Sequence, residues 1–247
     1  MIERNHVLPL YYQLMQDLRT RIEHGEWKPG DVIPSERELC DTYGISRMTV
    51  RQALAELVND GLLRREQGRG TFVARPKIRK RLSQLTSYTM DMRARGKQAS
   101  ARVLRLEMVP ARPKVADALQ IEVAQPVALI ERLRLTDGEP MAIECCHLSF
   151  DGCEAILEED LSHSLYELLI ERCGVIPTRA QEELEAGLCR SSREAQILGI
   201  QCGEPVLLIR RRTLDQDTRL FEYVESVYRG DNYIFSVELV AEEFSTH

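Results

Sequence analysis

The chain has 247 residues, 43% of them apolar and 29% charged, with a formal net charge of −6, which suits one large or two small globular domains. No run approaches the ~18 apolar residues of a membrane span and the opening "MIERNHVLPL" has no apolar signal core, so a cytoplasmic protein without a membrane partner is expected. The charge is uneven: residues 1–80 hold 14 Lys/Arg and 11 Asp/Glu, a balance of +3 against −9 for the remainder, and a basic head on an acidic body points to a polyanion for the head alone.

"PLYYQLMQDLRTRIEHG" at 9–25 spaces Leu10, Leu14, Leu18 and Ile22 four apart between Pro9 and Gly25, which predicts an amphipathic helix. "SERE" then gives Ser35 and Glu38 the spacing of a capping box, opening a short helix that Gly44 stops. Ser46 caps the next helix, whose stripe of Val50, Ala53, Leu54, Leu57 and Val58 follows helical periodicity up to Gly61. Two helices joined by a short glycine turn predict a helix-turn-helix, whose second helix enters the major groove. Arg47, Met48, Thr49, Arg51 and Gln52 stand outward from its first turns, and arginine there can grip a guanine edge or a phosphate with two hydrogen bonds. "LLRREQGRGTFVARP" at 62–76 reads as strand, turn and strand, a basic wing with Arg69 between two glycines.

With "PLYYQL", "PSERELC", "YGISRMTVRQAL", "LVNDGLL" and "GRGTFV" in this order, the head resembles the GntR family of bacterial transcription regulators. The resemblance implies a winged helix-turn-helix over 1–75 whose positions Arg37, Arg47, Thr49, Arg51 and Gly68, Arg69, Gly70 touch double-stranded operator DNA. The cap hydroxyls Ser35 and Ser46 and the outward Gln52 complete the candidate DNA contacts. A homodimer is expected, since a two-fold pair reads two half-sites.

Residues 76–84, within the polar run "ARPKIRKRLSQ" that carries Arg75, Lys77, Arg79, Lys80 and Arg81, are expected to form a linker. The body beyond mixes helices and strands, an α+β pattern. "PVALIERLRLTDGEPMAIECCHLSF" at 126–150 and "LLIRRRTLDQDTRLFEYVESVYRG" at 207–230 each read as two strands about a turn. They belong to an internal echo that lays Leu119 on Leu198, Pro126 on Pro205, Ile130 on Ile209 and Arg132 on Arg211, so two related helix–strand–strand units around an antiparallel sheet are expected. "CCH" at 145–147 looks like a ligand cluster, but neighbouring strand residues point to opposite faces. The seven cysteines are odd in number and scattered, as reduced thiols are, and neither metal nor cofactor is expected.

Strand alternation puts Arg132 and Arg134 on one face, and Glu222, Val224, Ser226 and Tyr228 on one face of theirs. Glu144 joins the arginines only if the hairpin loop has three residues with a glycine bulge; a two-residue loop turns it away. "SLYE" at 164–167 and "LTSYTMDMRARG" at 85–96 open helices behind hydroxyl residues, where an anion is favoured. Two arginines, two such helix starts and two glutamates point to a polar ligand with a phosphate at one end.

Through "LTSYTMDMRARG", "RLRL", "PMAIE", "SLYELL" and "ESVYRGDNY", the body is similar to the effector domain of the HutC subfamily of these regulators. That resemblance implies a chorismate-lyase-like (UTRA) fold over 85–247 and repression of amino-sugar (N-acetylglucosamine) catabolic genes, relieved by glucosamine-6-phosphate or N-acetylglucosamine-6-phosphate. Carried over by position, Ser87, Tyr88, Thr89, Arg132, Arg134, Ser164 and Tyr166 would hold the phosphate, and Glu144, Glu222 and Tyr228 would meet the sugar. Cys145 and Cys146 depart from the small hydroxyl residues of that pattern. A different acidic effector (urocanate, a phosphonate, another sugar phosphate) is the first rival. A lyase-like enzyme is the second; no nucleophile elbow, metal-ligand set or phosphate loop supports it, so catalysis is not expected.

Overall fold

The computed structural model describes residues 7–66, 68–74, 77–82 and 84–239. Two compact units divide between Lys77 and Ile78. The first is built from helices α1 (Leu10–Glu23), α2 (Glu36–Tyr43) and α3 (Arg47–Asn59), followed by a hairpin of β1 (Leu63–Glu66) and β2 (Gly70–Val73). Its core joins Leu14 and Leu18 of α1 to Leu39 of α2 and to Val50, Leu54 and Leu57 of α3, all essentially without solvent contact. Each such leucine stabilises by about 2 kcal/mol relative to exposure. The caps sit where their spacing predicts: Ser35 accepts from Glu38 in a full capping box, Ser46 accepts from Thr49, and Gly44 takes a left-handed φ of 63°.

The second unit begins earlier than the sequence suggests. Of the polar run, Ile78–Arg81 forms β3, paired in parallel with β10 (Tyr233–Ser236). Ile78 and Lys80 are buried while Arg79 and Arg81 are exposed, so the strand's two-residue period organises what reads as an evenly charged connector. The expected linker at 76–84 is therefore partly a sheet element; Arg75, Pro76 and Ser83 lie outside the described residues, as do Gln67 of the wing, residues 1–6 and residues 240–247.

Beyond α4 (Tyr88–Arg93) comes a six-stranded antiparallel sheet of β4 (Ala99–Pro110), β5 (Pro126–Thr136), β6 (Glu139–Leu148), β7 (Arg179–Leu188), β8 (Pro205–Leu214) and β9 (Leu220–Arg229) in the order β4-β5-β6-β9-β8-β7. That order is two three-strand meanders meeting at β6 and β9. Helix α5 (Pro113–Leu119) precedes β5 as α7 (Ser192–Leu198) precedes β8, and a strand precedes each helix, so the expected helix–strand–strand unit is extended to strand, helix, strand, strand. Helices α5 and α7 cover one face of the sheet through Val127, Leu133, Ile143 and Val206. The opposite face meets α6 (Leu165–Leu168) with its π-helical continuation Leu169–Cys173, and the 3₁₀ turn Cys153–Glu158.

The first hairpin decides the facing of Glu144. Its loop is the two residues Asp137 and Gly138, with φ of 51° and 80°. Such a loop alone would set Arg132 against Ile143. The register shifts between Arg134 and Leu135, leaving Met141 as an extra residue, so Arg132 faces Glu144 after all. Neither loop expectation alone describes this hairpin: it combines the short loop with a bulge three residues further on.

Candidate DNA-reading and effector sites

On the first unit, α3 offers its N-terminal turns outward. The side chains of Arg47 and Arg51 keep 71% and 55% of their exposure, Met48 and Gln52 are exposed, Thr49 is half-buried, and Arg37 is exposed on α2. Both α3 arginines are tied to one carboxylate. Glu36 accepts from Arg47 Nε at 3.0 Å and from Arg51 Nε at 3.0 Å, and Arg65 of β1 stands 3.7 Å away. Partial burial opposes the charge of Glu36, but its arginine hydrogen bonds outweigh this and hold its carboxyl below the usual range. With Nε engaged and both side chains largely exposed, each guanidinium keeps terminal amino groups that can meet a base or a phosphate in parallel. Sequence reasoning missed Glu36; its only signal was its place in the first turn of α2. In the wing, Gly68 and Gly70 take φ of 75° and 124°, which a side chain would strain, and Arg69 between them pairs with Glu66 at 2.6 Å.

On the second unit, the sheet face opposite α5 and α7 carries buried charge. Arg132 donates to Glu144 and, at 3.5 Å, to the carbonyls of Leu161 and His163. Arg134 donates to Thr89 Oγ1 at 3.2 Å and lies over the Tyr88 ring at 4.6 Å. Glu222 accepts from Tyr166 at 2.8 Å and from Thr213 at 2.5 Å, with Arg211 at 3.7 Å. Ser87 caps α4 and Ser164 caps α6, and the two hydroxyls meet at 3.4 Å. Most of these groups, the three arginines and two glutamates among them, line a cavity of about 20 Å³, space for roughly one water.

Its electrostatics favour an anion. Burial opposes the charge of Glu144, yet Arg132, Arg134 and Arg211 outweigh it and hold the carboxyl at about 2. Burial, then the neighbouring Arg132, pulls Arg134 below the usual arginine range, and burial pushes the Tyr88 hydroxyl up to about 12. Three arginines face two carboxylates here, a surplus of one positive charge. The Nε atoms of Arg132, Arg134 and Arg211 are buried without a hydrogen-bond partner among the described residues, which native interiors rarely leave so.

Of the sequence-predicted effector residues, Ser87, Tyr88, Thr89, Arg132, Arg134, Glu144, Tyr166 and Glu222 line this cavity, and Ser164 touches it through Ser87. Tyr228 does not: it is buried on the same face but packs edge-on against Tyr233 at 4.9 Å and Phe235 at 6.0 Å. Arg211 was missed as a site residue, although the internal echo lays it on Arg132. Cys146 faces the cavity side, 3.6 Å from Glu222, whereas Cys145 faces outward with its thiol pushed up to about 11 by burial and nearby glutamates.

The pattern of the gntR family of bacterial regulatory proteins matches residues 10–73, and that of the UTRA domain matches residues 94–234. The chain belongs to the GntR family. Its relatives include the HTH-type transcriptional repressor NagR of Bacillus subtilis, 45% identical over 95% of this chain and 96% of that protein. A histidine utilization repressor of Pseudomonas putida is 36% identical over 83% of this chain and 82% of its own length. Among solved structures, PhnF from Mycobacterium smegmatis superposes with a TM-score of 0.66 at 34% identity, covering 92% of this chain and 99% of that one. This GntR-family chain is thus a transcriptional repressor of the GntR/HutC type, with an N-terminal helix-turn-helix and a C-terminal UTRA domain. Repressors of the family bind operator DNA and small-molecule effectors and are typically dimeric. Among the described residues no helix is long and apolar enough to cross a membrane.

Proposed function

We propose that this repressor controls amino-sugar catabolic genes and leaves its operator when a sugar phosphate such as glucosamine-6-phosphate or N-acetylglucosamine-6-phosphate binds over the sheet. The observation that carries the reading is the trio Arg132, Arg134 and Arg211, a buried cationic surplus faced by the hydroxyls of Ser87 and Thr89. Charge-assisted donors of that kind fit a phosphate dianion. The 45% identity to NagR supports the amino-sugar assignment. In this reading residues 1–75 read DNA as half of a homodimer, and 85–247 hold the effector. A family coupling of about 1–3 kcal/mol would lower operator affinity roughly 5- to 150-fold. Operator titration with and without glucosamine-6-phosphate tests this; unchanged affinity across a set of sugar phosphates sinks the effector reading and leaves the DNA reading standing.

Arg47, Thr49 and Arg51 of α3, together with Arg37, Gln52, the capping serines Ser35 and Ser46, and the wing residues Gly68, Arg69 and Gly70, are the DNA contacts of this reading. Arg51→Ala is expected to weaken operator binding by about 1–3 kcal/mol while random duplex loses less, as for an arginine that reads a base. Fluorescence anisotropy on both duplexes measures the two losses. Equal losses would reduce Arg51 to a phosphate contact.

A further inference from the structure

The cavity beneath the arginines admits roughly one water, too little for the sugar end of a sugar phosphate. A second cavity of about 210 Å³ shares Arg211 with it and lies against Lys80, Gln84, Thr86 and Glu182. Thr86 immediately precedes Ser87 of the phosphate-facing set, so the two spaces are neighbours along the chain as well as across Arg211. The chemistry of the two differs. The small cavity is dominated by guanidinium groups. In the larger one Lys80 Nζ stands 3.4 Å from Glu182, whose carboxylate is also 4.0 Å from Arg211. A second phosphate would meet Glu182 with like charge, whereas hydroxyl and ammonium groups could donate to that carboxylate and accept, in the hydroxyl's case, from Lys80, Gln84 and Thr86.

We propose that this larger chamber seats the hydroxyl- and amine-bearing end of the effector, with Lys80 and Glu182 as the contacts that select it. The assignment rests on the effector reading above and narrows it: the ligand is a phosphate monoester whose other end is rich in hydrogen-bond donors, which disfavours an aromatic carboxylate. Burial, with the neighbouring Arg211 adding to it, lowers the Lys80 ammonium from its usual range, and the nearby Glu182 carboxylate opposes that. Lys80 is therefore a cation held at some cost where a bound polyol can stabilise it. Its strand, β3, starts one residue beyond the end of the first unit, at Ile78. A ligand that touches Lys80 touches the first described element after the DNA-reading unit.

The experiment is calorimetry on the full chain with two probes, glucosamine-6-phosphate and inorganic phosphate. Lys80→Met should weaken glucosamine-6-phosphate at least 10-fold and leave inorganic phosphate within 2-fold of the parent. Gln84 is exposed, so Gln84→Ala tests the same chamber without risk to the core and should cost the sugar phosphate roughly 2- to 10-fold and inorganic phosphate nothing. The proposal is overturned if both variants bind glucosamine-6-phosphate as the parent does, or if both probes lose affinity by the same factor. If neither probe binds the parent, the effector reading itself fails and the chamber's assignment falls with it. Binding of both probes with loss confined to the sugar phosphate supports the two together.

Discussion

Glu144→Gln will lower the melting temperature of the effector unit by roughly 6–20 °C at neutral pH. The substitution keeps the shape of the side chain but strips the anion from between Arg132, Arg134 and Arg211, two of which are almost wholly buried. Removing one partner of a buried pair leaves an uncompensated charge and costs about 3–5 kcal/mol, and a domain of this size loses about 2–4 °C per kcal/mol. The pH dependence should agree. The Glu144 carboxyl is held at about 2 against an ordinary 4.5, so the folded state favours the ionised form. Its contribution of about 3 kcal/mol is complete above pH 4.5 and fades as pH falls through about 2. Scanning calorimetry of parent and variant from neutral to acidic pH should show the gap between them closing in that window. A variant melting within about 2 °C of the parent at neutral pH would mean that another carboxylate, Glu222, already neutralises the arginines. Added phosphate should stabilise the variant more than the parent, since it supplies the missing anion.

Arg134→Lys will weaken glucosamine-6-phosphate about 10- to 150-fold with operator binding unchanged. Each hydrogen bond between charged groups in such a site is worth about 1.5–3 kcal/mol. Lysine keeps the charge but loses the planar fork that rests on Tyr88 and reaches Thr89. Unphosphorylated glucosamine should bind the parent poorly and respond little to the substitution. Titration of both sugars into both proteins measures this. If glucosamine and its phosphate bind the parent equally, the arginines serve only Glu144 and the phosphate assignment is wrong.

What the chain disclosed in advance was local chemistry. Ser35, Ser46 and Gly44 announce helix ends because caps depend on neighbours a few residues away, and the spacing of Leu14, Leu18, Leu54 and Leu57 announces a buried stripe. The paired arginines of β5 were visible for the same reason: alternation is a local rule. Three features depended on something else. The facing of Glu144 rests on a bulge at Met141 that no residue type signals. Arg211 enters the site only because two meanders pack side by side, a long-range fact hinted at by its match to Arg132. Lys80 sat in a run of like charges, where four residues of strand are indistinguishable from a solvated connector until Tyr233–Ser236 pairs with them.

The extra residue at Met141 also uncouples two things that a plain hairpin ties together, the length of the segment and the facing of the strand. Every side chain from Ala142 to Leu148 owes its side of the sheet to the bulge that holds this residue. Deleting Met141 would leave a regular ladder on the same two-residue loop, with Arg132 still opposite Glu144. Straightening the ladder with every residue kept would instead exchange the two faces of β6, carrying Glu144 toward the α5 and α7 side and bringing Cys145 in beneath the arginines. Loss of this one residue should therefore leave the site intact, whereas a slip of pairing should destroy it.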